Sequence, residues 1–156
     1  MRLVLWFVIA VIFSGCAATG PEFKIAPPDP NGKAVLYIYR PAAYPLRGLK
    51  AGFSVDGINA AELSVEGYSF VYLSPGLHRL THQWVGTGTA EPVTEISVRM
   101  EAGSSSYVRF VTDHGTNCGV GKICFRWQLE QLSQEAARPQ IEQCRLETAK
   151  VLSPSR

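Results

Sequence analysis

Most of the chain alternates between short apolar runs and turn-forming residues. Residues 34–40 are apolar or aromatic except for Arg40, and Pro41 follows them. This stretch is too apolar for a half-exposed strand, so we predict a central strand buried on both faces. Residues 94–100 instead alternate apolar and polar side chains, a period of two that is typical of a strand with one buried and one exposed face.

The same pattern predicts further strands. They lie at residues 52–55, 58–63, 67–73, 77–85, 107–112 and 123–130. Asp56-Gly57 is typical of the two-residue turn of a β-hairpin. Residues 133–146 are rich in helix formers, but Pro139 should interrupt a continuous helix. We predict that a short second helix starts at the proline. We therefore expect an all-β fold: a single small β-sandwich of about eight mostly antiparallel strands with a short helical C-terminal tail.

The first sixteen residues have the pattern of a secretory signal. Arg2 precedes an unbroken apolar run over residues 3–13, which is too short for a membrane span. Ser14-Gly15-Cys16 follows, the arrangement that bacterial lipoprotein processing needs. We predict that residues 1–15 are a lipoprotein signal peptide and that Cys16 becomes the lipidated N-terminus, with its palmitate-type acyl chains in the membrane.

Two alternatives to lipidation remain open at this point. Phe13 stands where lipoprotein signals usually carry leucine, so the segment could be an ordinary signal peptide with a conventional cleavage site. It could also be retained as an anchor or a buried strand. Ala17 follows the cysteine in place of the aspartate that favours inner-membrane retention in enteric-type cells, which favours the periplasmic face of the outer membrane.

Four domains or segments are predicted from composition. After the signal peptide, residues 16–32 are the lipidated N-terminus and a proline-rich tether that lifts the domain from the membrane. Residues 33–146 are the β-sandwich domain and residues 147–156 a C-terminal tail. The whole chain carries 15 Lys and Arg against 13 Asp and Glu, with no basic cluster, so we expect no nucleic-acid partner.

Three cysteines follow Cys16. Cys118 and Cys124 flank a glycine-rich stretch that can turn the chain back, and the oxidising envelope permits a disulfide between them. Cys144 is then a small buried residue or a free thiol. A metal site is less favoured, because the spacing of Cys118 and Cys124 lacks the tight pattern of zinc knuckles.

The sequence carries no motif that indicates an enzyme. His78 and His82 lie on a predicted strand, where four residues separate them by about 13 Å, too far for a shared metal ion. Asp113-His114 could form a triad with one of the serines 104–106 only if geometry is ignored, and no nucleophile elbow is present. We predict a non-enzymatic protein without a cofactor or metal.

Several motifs in order carry a family resemblance. Residues 32–41, Val-Asp-Gly at 55–57, Leu-Ser-Pro-Gly-Leu-His at 73–78 and Ala-Gly at 102–103 before Tyr-Val-Arg at 107–109 occur in this sequence. The chain resembles uncharacterised bacterial lipoproteins built around domain of unknown function 2846, and the same motifs resemble the PEGA-type β-sandwich module. The resemblance covers residues 32–109 and, more loosely, 129–146. It implies a small β-sandwich on a lipid anchor and no catalytic residue.

These expectations together describe an envelope protein tethered by Cys16. Its leading function is that of an interaction or accessory module that binds an envelope protein through an edge strand or an aromatic patch. The alternative is a lipoprotein that binds a small ligand or a glycan in an aromatic cleft. The ligand-binding residues of that alternative are unknown from sequence.

Overall fold

The computed structural model describes residues 17–86, 93–115 and 124–148. Nine strands and one helix lie in these ranges. They are β1 (Ala34–Arg40), β2 (Ala51–Val55), β3 (Ile58–Leu63), β4 (Gly67–Leu73), β5 (Gly76–Trp84), β6 (Thr94–Met100), β7 (Ser105–His114), β8 (Phe125–Leu132), α1 (Gln134–Ile141) and β9 (Arg145–Leu146).

The strands form two sheets that pack face to face. One sheet has the order β8-β7-β1-β4-β9 and the other the order β3-β2-β5-β6. Five strand pairs are antiparallel, whereas β1 with β7 and β4 with β9 are parallel. The prediction of an all-β sandwich with mostly antiparallel strands is therefore confirmed. The short β9 is the strand that the sequence pattern did not indicate.

The main core lies between the sheets. From β1 it receives Ala34, Leu36 and Ile38, all fully buried. The opposite sheet contributes residues such as Phe53 and Leu80. Burial of one such side chain stabilises the fold by about 1.5–3 kcal/mol relative to leaving it exposed, so this layer contributes strongly to stability.

A second core covers the outer face of the five-stranded sheet. Tyr37 and Tyr39 point outward from β1, yet they are fully buried because α1 and the N-terminal segment lie over them. All seven residues of β1 are consequently buried. The prediction that this strand is central and buried on both faces is confirmed.

The helix α1 shows how tertiary packing can override a local signal. Its N-cap is Ser133, whose Oγ accepts a hydrogen bond from the Ala136 amide at 3.3 Å. Pro139 lies inside this helix, so the prediction that it starts a second helix is wrong. The proline removes one helix hydrogen bond. The complete burial of Ala137 and Ile141 of α1 against the sheet offsets this loss.

The segment before β1 differs from its prediction. Residues 17–27, here called the N-terminal strap, lie extended against the five-stranded sheet. Residues 16–32 are predicted to be a tether that lifts the domain from the membrane, whereas residues 17–27 contact the domain; a proline-rich composition suits a spacer and an extended, bound segment equally well. No helix in the described parts of the chain is long and apolar enough to cross a bilayer.

Candidate functional site

The strap begins at one end of the sandwich, and that end is the candidate functional site. Ala17 forms an isolated bridge with Val65, and the Ala18 amide donates to the Val65 carbonyl at 3.0 Å. Val65 is buried and lies in the turn of residues 63–67 that joins β3 to β4. We call this end the proximal end, and the end with the Asp56-Gly57 hairpin the distal end.

An aromatic side chain fastens the middle of the strap. The Phe23 ring packs edge-on against Tyr68 at 5.1 Å between centroids and against Tyr37 at 5.8 Å. Such pairs add about 0.5–1.5 kcal/mol to the burial of the rings themselves. The strap therefore carries its own hydrophobic contact with the domain.

Tyrosine hydroxyl groups on β1 and β4 hold the strap backbone. Tyr37 accepts from the Ala26 amide at 2.8 Å, Tyr68 accepts from the Lys24 amide at 3.2 Å, and Tyr72 donates to the Pro27 carbonyl at 2.7 Å. Burial raises the pKa of Tyr37, so this hydroxyl stays neutral. The signal in the sequence was the excess of tyrosine over phenylalanine on these strands, because a buried tyrosine usually has a hydrogen-bond partner.

The C-terminal segment closes the proximal end. The Leu146 amide donates to the Pro21 carbonyl at 2.8 Å, and the Arg145 side chain pairs with Glu22 at 2.9 Å. The Glu147 carboxylate accepts from the amide and the hydroxyl of Ser64, at 2.5 and 2.9 Å. Glu147 thus belongs to the folded domain, and the predicted tail boundary at residue 147 falls inside it.

The connection between β1 and β2, residues 41–50, lies directly above the same turn. At its start Arg40 pairs with Gly67, and at its end Ala51 pairs with Leu63. We call residues 41–50 the proximal loop. Tyr44 in this loop is 82% exposed, the highest value among the large apolar side chains of the described residues.

A buried arginine fixes the proximal loop. Arg40 is 1% exposed, and its guanidinium donates to the carbonyls of Leu49 at 2.6 Å and Leu46 at 2.8 Å. The guanidinium carbon lies 5.3 Å from the Trp84 ring centre. Burial lowers the pKa of Arg40 to about 10, opposed by the charge of Glu147, so the guanidinium remains charged at neutral pH.

A histidine lies beside this arginine within the core. His82 is 1% exposed, with its ring centre 4.1 Å from Phe110 and 4.9 Å from Trp84. Both its nitrogens lack hydrogen-bond partners in the described part of the chain. Burial, and then the charge of Arg40, lower the pKa of His82 to about 4. The ring is therefore neutral at pH 7 and enclosed in the core.

His78, the other histidine of β5, lies near the distal end. His78 Nδ1 lies 2.7 Å from Asp56 Oδ2, and Nε2 lies 2.8 Å from the Ser74 carbonyl. Both neighbours are acceptors, so the protonated ring satisfies both contacts. Partial burial pulls the pKa of His78 down, but the hydrogen bonds to Asp56 and Ser74 outweigh it and the net pKa is raised. With both nitrogens engaged, the pair is a clamp on the hairpin and has no free basic nitrogen for catalysis.

The predicted site cysteines are only partly covered by the described residues. Cys16 and Cys118 lie outside them, so lipidation and the Cys118–Cys124 pairing stay predictions. Cys124 is disulfide-bonded. Cys144 is a free, buried thiol whose pKa burial raises to about 12, so it is not the partner of Cys124.

The structure supports neither a catalytic triad nor a metal site among the described residues. Ser105 begins β7 and His114 ends it, so a triad of Asp113-His114 with these serines has its members at opposite ends of a strand. Within residues 17–86, 93–115 and 124–148, no group of three or more histidine, cysteine, aspartate or glutamate side chains could hold a metal ion.

The sheet edges offer a different kind of site. β8 is the last strand of the five-stranded sheet; among the described strands it pairs only with β7, and it lies close to β6, the last strand of the other sheet. Phe125 at its start is 38% exposed, and its ring centre lies 5.7 Å from that of His114. A strand with one unpaired backbone edge can accept an extended peptide. By contrast, the aromatic side chains that could line a ligand cleft are mostly in the two cores.

Comparison of the chain with protein-family models, with curated proteins and with solved structures finds no match.

Proposed function

We propose that the protein is a bacterial envelope lipoprotein, anchored through Cys16 in the periplasmic face of the outer membrane, and that its sandwich is a non-enzymatic interaction module. Similarity to the lipoproteins built around domain of unknown function 2846, and to PEGA-type modules, is part of this proposal. The observation that supports it best is the strap. A chain that pairs with the domain at Ala17 suits a lipid attached to the residue immediately before.

The proposed anchor would consist of two or three acyl chains on Cys16. Such chains anchor a protein stably where a single chain binds reversibly. A lipid on Cys16 lies next to a segment fixed by the Val65 bridge and by tyrosine hydroxyls. The domain is then held at the membrane surface, in place of the long spacer expected from composition.

The anchor is tested by fractionating cells that express the full chain. Cys16→Ala is expected to move the protein from the membrane fraction to the soluble fraction. Cys144→Ala is the matched control, because it removes a thiol that is buried in the domain, and this variant should stay with membranes. Membrane retention of Cys16→Ala would contradict the anchor.

The partner is proposed to be an extended segment of another envelope protein that pairs with β8. Backbone hydrogen bonds supply affinity in such strand addition, and side-chain pockets supply selectivity. The exposed side chains of Arg126 and Gln128 alternate with Trp127, which faces the main core. An added strand would meet a polar outer face and the exposed ring of Phe125.

Photo-crosslinking in cells tests this surface. A benzophenone amino acid replaces Gln128 in β8 or, as control, Arg79, which is exposed in an interior strand of the other sheet. We expect one dominant adduct from position 128, mapped by mass spectrometry to an extended segment of its partner, and none from position 79. Diffuse capture at both positions would contradict strand addition and favour the alternative of a glycan- or ligand-binding lipoprotein.

A further inference from the structure

The proximal loop has an unusual composition for an exposed connection. Its sequence is PAAYPLRGLK, which contains two basic residues, Arg47 and Lys50, and no acidic one. Tyr44 at its tip is 82% exposed, next to small or apolar neighbours. A lone exposed aromatic ring flanked by apolar and basic residues is the combination that proteins place at the boundary between lipid headgroups and acyl chains.

The loop lies beside the point where the chain would leave Cys16. The turn of residues 63–67 lies below both ends of the loop, since its first and last residues pair with Ala51 and Arg40. Val65 at the centre of this turn pairs with Ala17. Consecutive Cα atoms are 3.8 Å apart, so Cys16 is one such step from a residue that contacts the floor of the loop.

A groove confirms that the strap and the loop are neighbours. It has a volume of about 370 Å³ and is lined by Thr19 and Gly20 of the strap, by Lys50 of the loop, and by Glu147. Lys50 Nζ lies 3.6 Å from the Glu147 carboxylate, which Ser64 also binds.

The base of the loop is held rigidly. Thr112 donates to the Pro45 carbonyl at 3.2 Å, and Arg40 donates to the carbonyls of Leu46 and Leu49. Leu46 has a φ of 58°, a left-handed conformation that is costly for a residue with a side chain and that the surrounding bonds maintain. Tyr44 therefore projects from a fixed base, and a preorganised contact loses less entropy when it binds.

We propose that the proximal loop contacts the phospholipid headgroup layer of the membrane that holds the Cys16 lipid. The inference rests on the proposed anchor and deepens it. Tyr44 enters the interface, and Arg47, which has no carboxylate partner among the described residues, meets anionic headgroups. Glu62, Glu66 and Glu147 are also at this end; Glu147 is held by Ser64 and Lys50.

The consequence is a defined orientation. The proximal end rests on the membrane, and the hairpin at Asp56-Gly57 lies farthest from it. Leu77 near the start of β5 belongs to this distal end, because its neighbour Gly76 pairs with Met100 and His78 binds Asp56. Leu77 is 62% exposed. Like Tyr44 it is a large, exposed apolar side chain, but it would face away from the membrane.

The test uses the full-length, lipidated protein in vesicles of phosphatidylethanolamine and phosphatidylglycerol. An environment-sensitive fluorescent amino acid replaces Tyr44 in one sample and Leu77 in the other. Lipids with brominated acyl chains quench only fluorophores close to them. We expect several-fold stronger quenching and a blue-shifted emission at position 44, with little quenching at position 77.

Two results would overturn the inference. If the protein floats with the vesicles but position 44 is quenched no more than position 77, the anchor stands and the loop contact is wrong. If the lipidated wild-type protein does not float with the vesicles, the proposed anchor fails and the loop contact fails with it. Flotation is therefore measured on the same samples before fluorescence.

Discussion

The Ala18 amide donates a hydrogen bond to the carbonyl of Val65, 3.0 Å away. Val65 is buried in the turn between β3 and β4, so this bond ties the first described residues of the chain to the body of the domain. The bond makes the N-terminal strap a structural part of the fold. A lipid on Cys16 would therefore control how the domain is oriented at the membrane.

The first prediction concerns the tyrosine hydroxyls that hold the strap. Tyr37→Phe leaves the buried Ala26 amide without its acceptor, which should lower the free energy of unfolding by about 1–3 kcal/mol. Tyr39→Phe is the matched control on the same strand, because the Tyr39 hydroxyl is buried without a hydrogen-bond partner among the described residues. It should be neutral or slightly stabilising in denaturant titration.

Hydrogen exchange measured by NMR adds a local readout for the same pair. The Ala26 amide should exchange faster in Tyr37→Phe than in the wild type. Its exchange rate should be unchanged in Tyr39→Phe. Equal stability losses in the two variants, with the Ala26 amide still protected, would show that the hydroxyl does not hold the strap.

The second prediction concerns Arg40. Arg40→Met keeps a long apolar side chain but removes the donors to the Leu46 and Leu49 carbonyls. We expect a loss of roughly 2–4 kcal/mol in unfolding free energy and faster amide exchange within the proximal loop. Arg79→Met is the control: Arg79 is exposed and 4.0 Å from Glu95, and its loss should cost less than about 0.5 kcal/mol. Similar costs for the two variants would contradict the role of the Arg40 hydrogen bonds in fixing the proximal loop.

The third prediction is a dependence of stability on acid. Burial and Arg40 lower the pKa of His82 to about 4, whereas the unfolded ring titrates near 6.5. Between these values the unfolded chain binds one more proton at this site, so stability falls as the pH drops from about 6.5 to 4, by roughly 3 kcal/mol at most. His82→Phe should flatten this slope in chemical denaturation, and a slope equal to that of the wild type would contradict the assignment.

The fourth prediction has the opposite sign. The pKa of folded His78 is raised by its bonds to Asp56 and Ser74, so the folded protein binds the extra proton. The stabilisation is complete below the unfolded pKa of about 6.5 and is lost as the pH rises through the higher folded pKa. An NMR titration of the His78 ring should show a midpoint above 6.5 that falls in Asp56→Asn; an unchanged midpoint would exclude the carboxylate as the cause.

Much of the sandwich could be predicted because local patterns and tertiary packing agree there. Residues 34–40, 58–63, 67–73 and 94–100 form strands with the predicted limits. The hairpin at Asp56-Gly57 forms with positive φ at both residues, as a tight hairpin turn requires. Period and turn chemistry are properties of neighbouring residues, so a single sequence displays them.

The contacts of the strap and the hydrogen bonds of Arg40 could not be predicted because both depend on how the chain folds back on itself. Ala26 and Tyr37 are close in sequence, but the Val65 bridge joins residues almost fifty positions apart. The proline-rich composition of the strap suits a spacer and a bound segment equally well. Arg40 likewise has the sequence signature of a strand end before Pro41, and only the folded chain brings Leu46 and Leu49 to its guanidinium.

The proposed anchor at Cys16 is tested directly by the intact mass of the mature protein, extracted from membranes in detergent, with fragmentation of its N-terminal peptide. We expect that the mature chain begins at Cys16 and that this cysteine carries a diacylglycerol group and an amide-linked acyl chain. A mature chain that begins at another residue, or an unmodified Cys16, would contradict it.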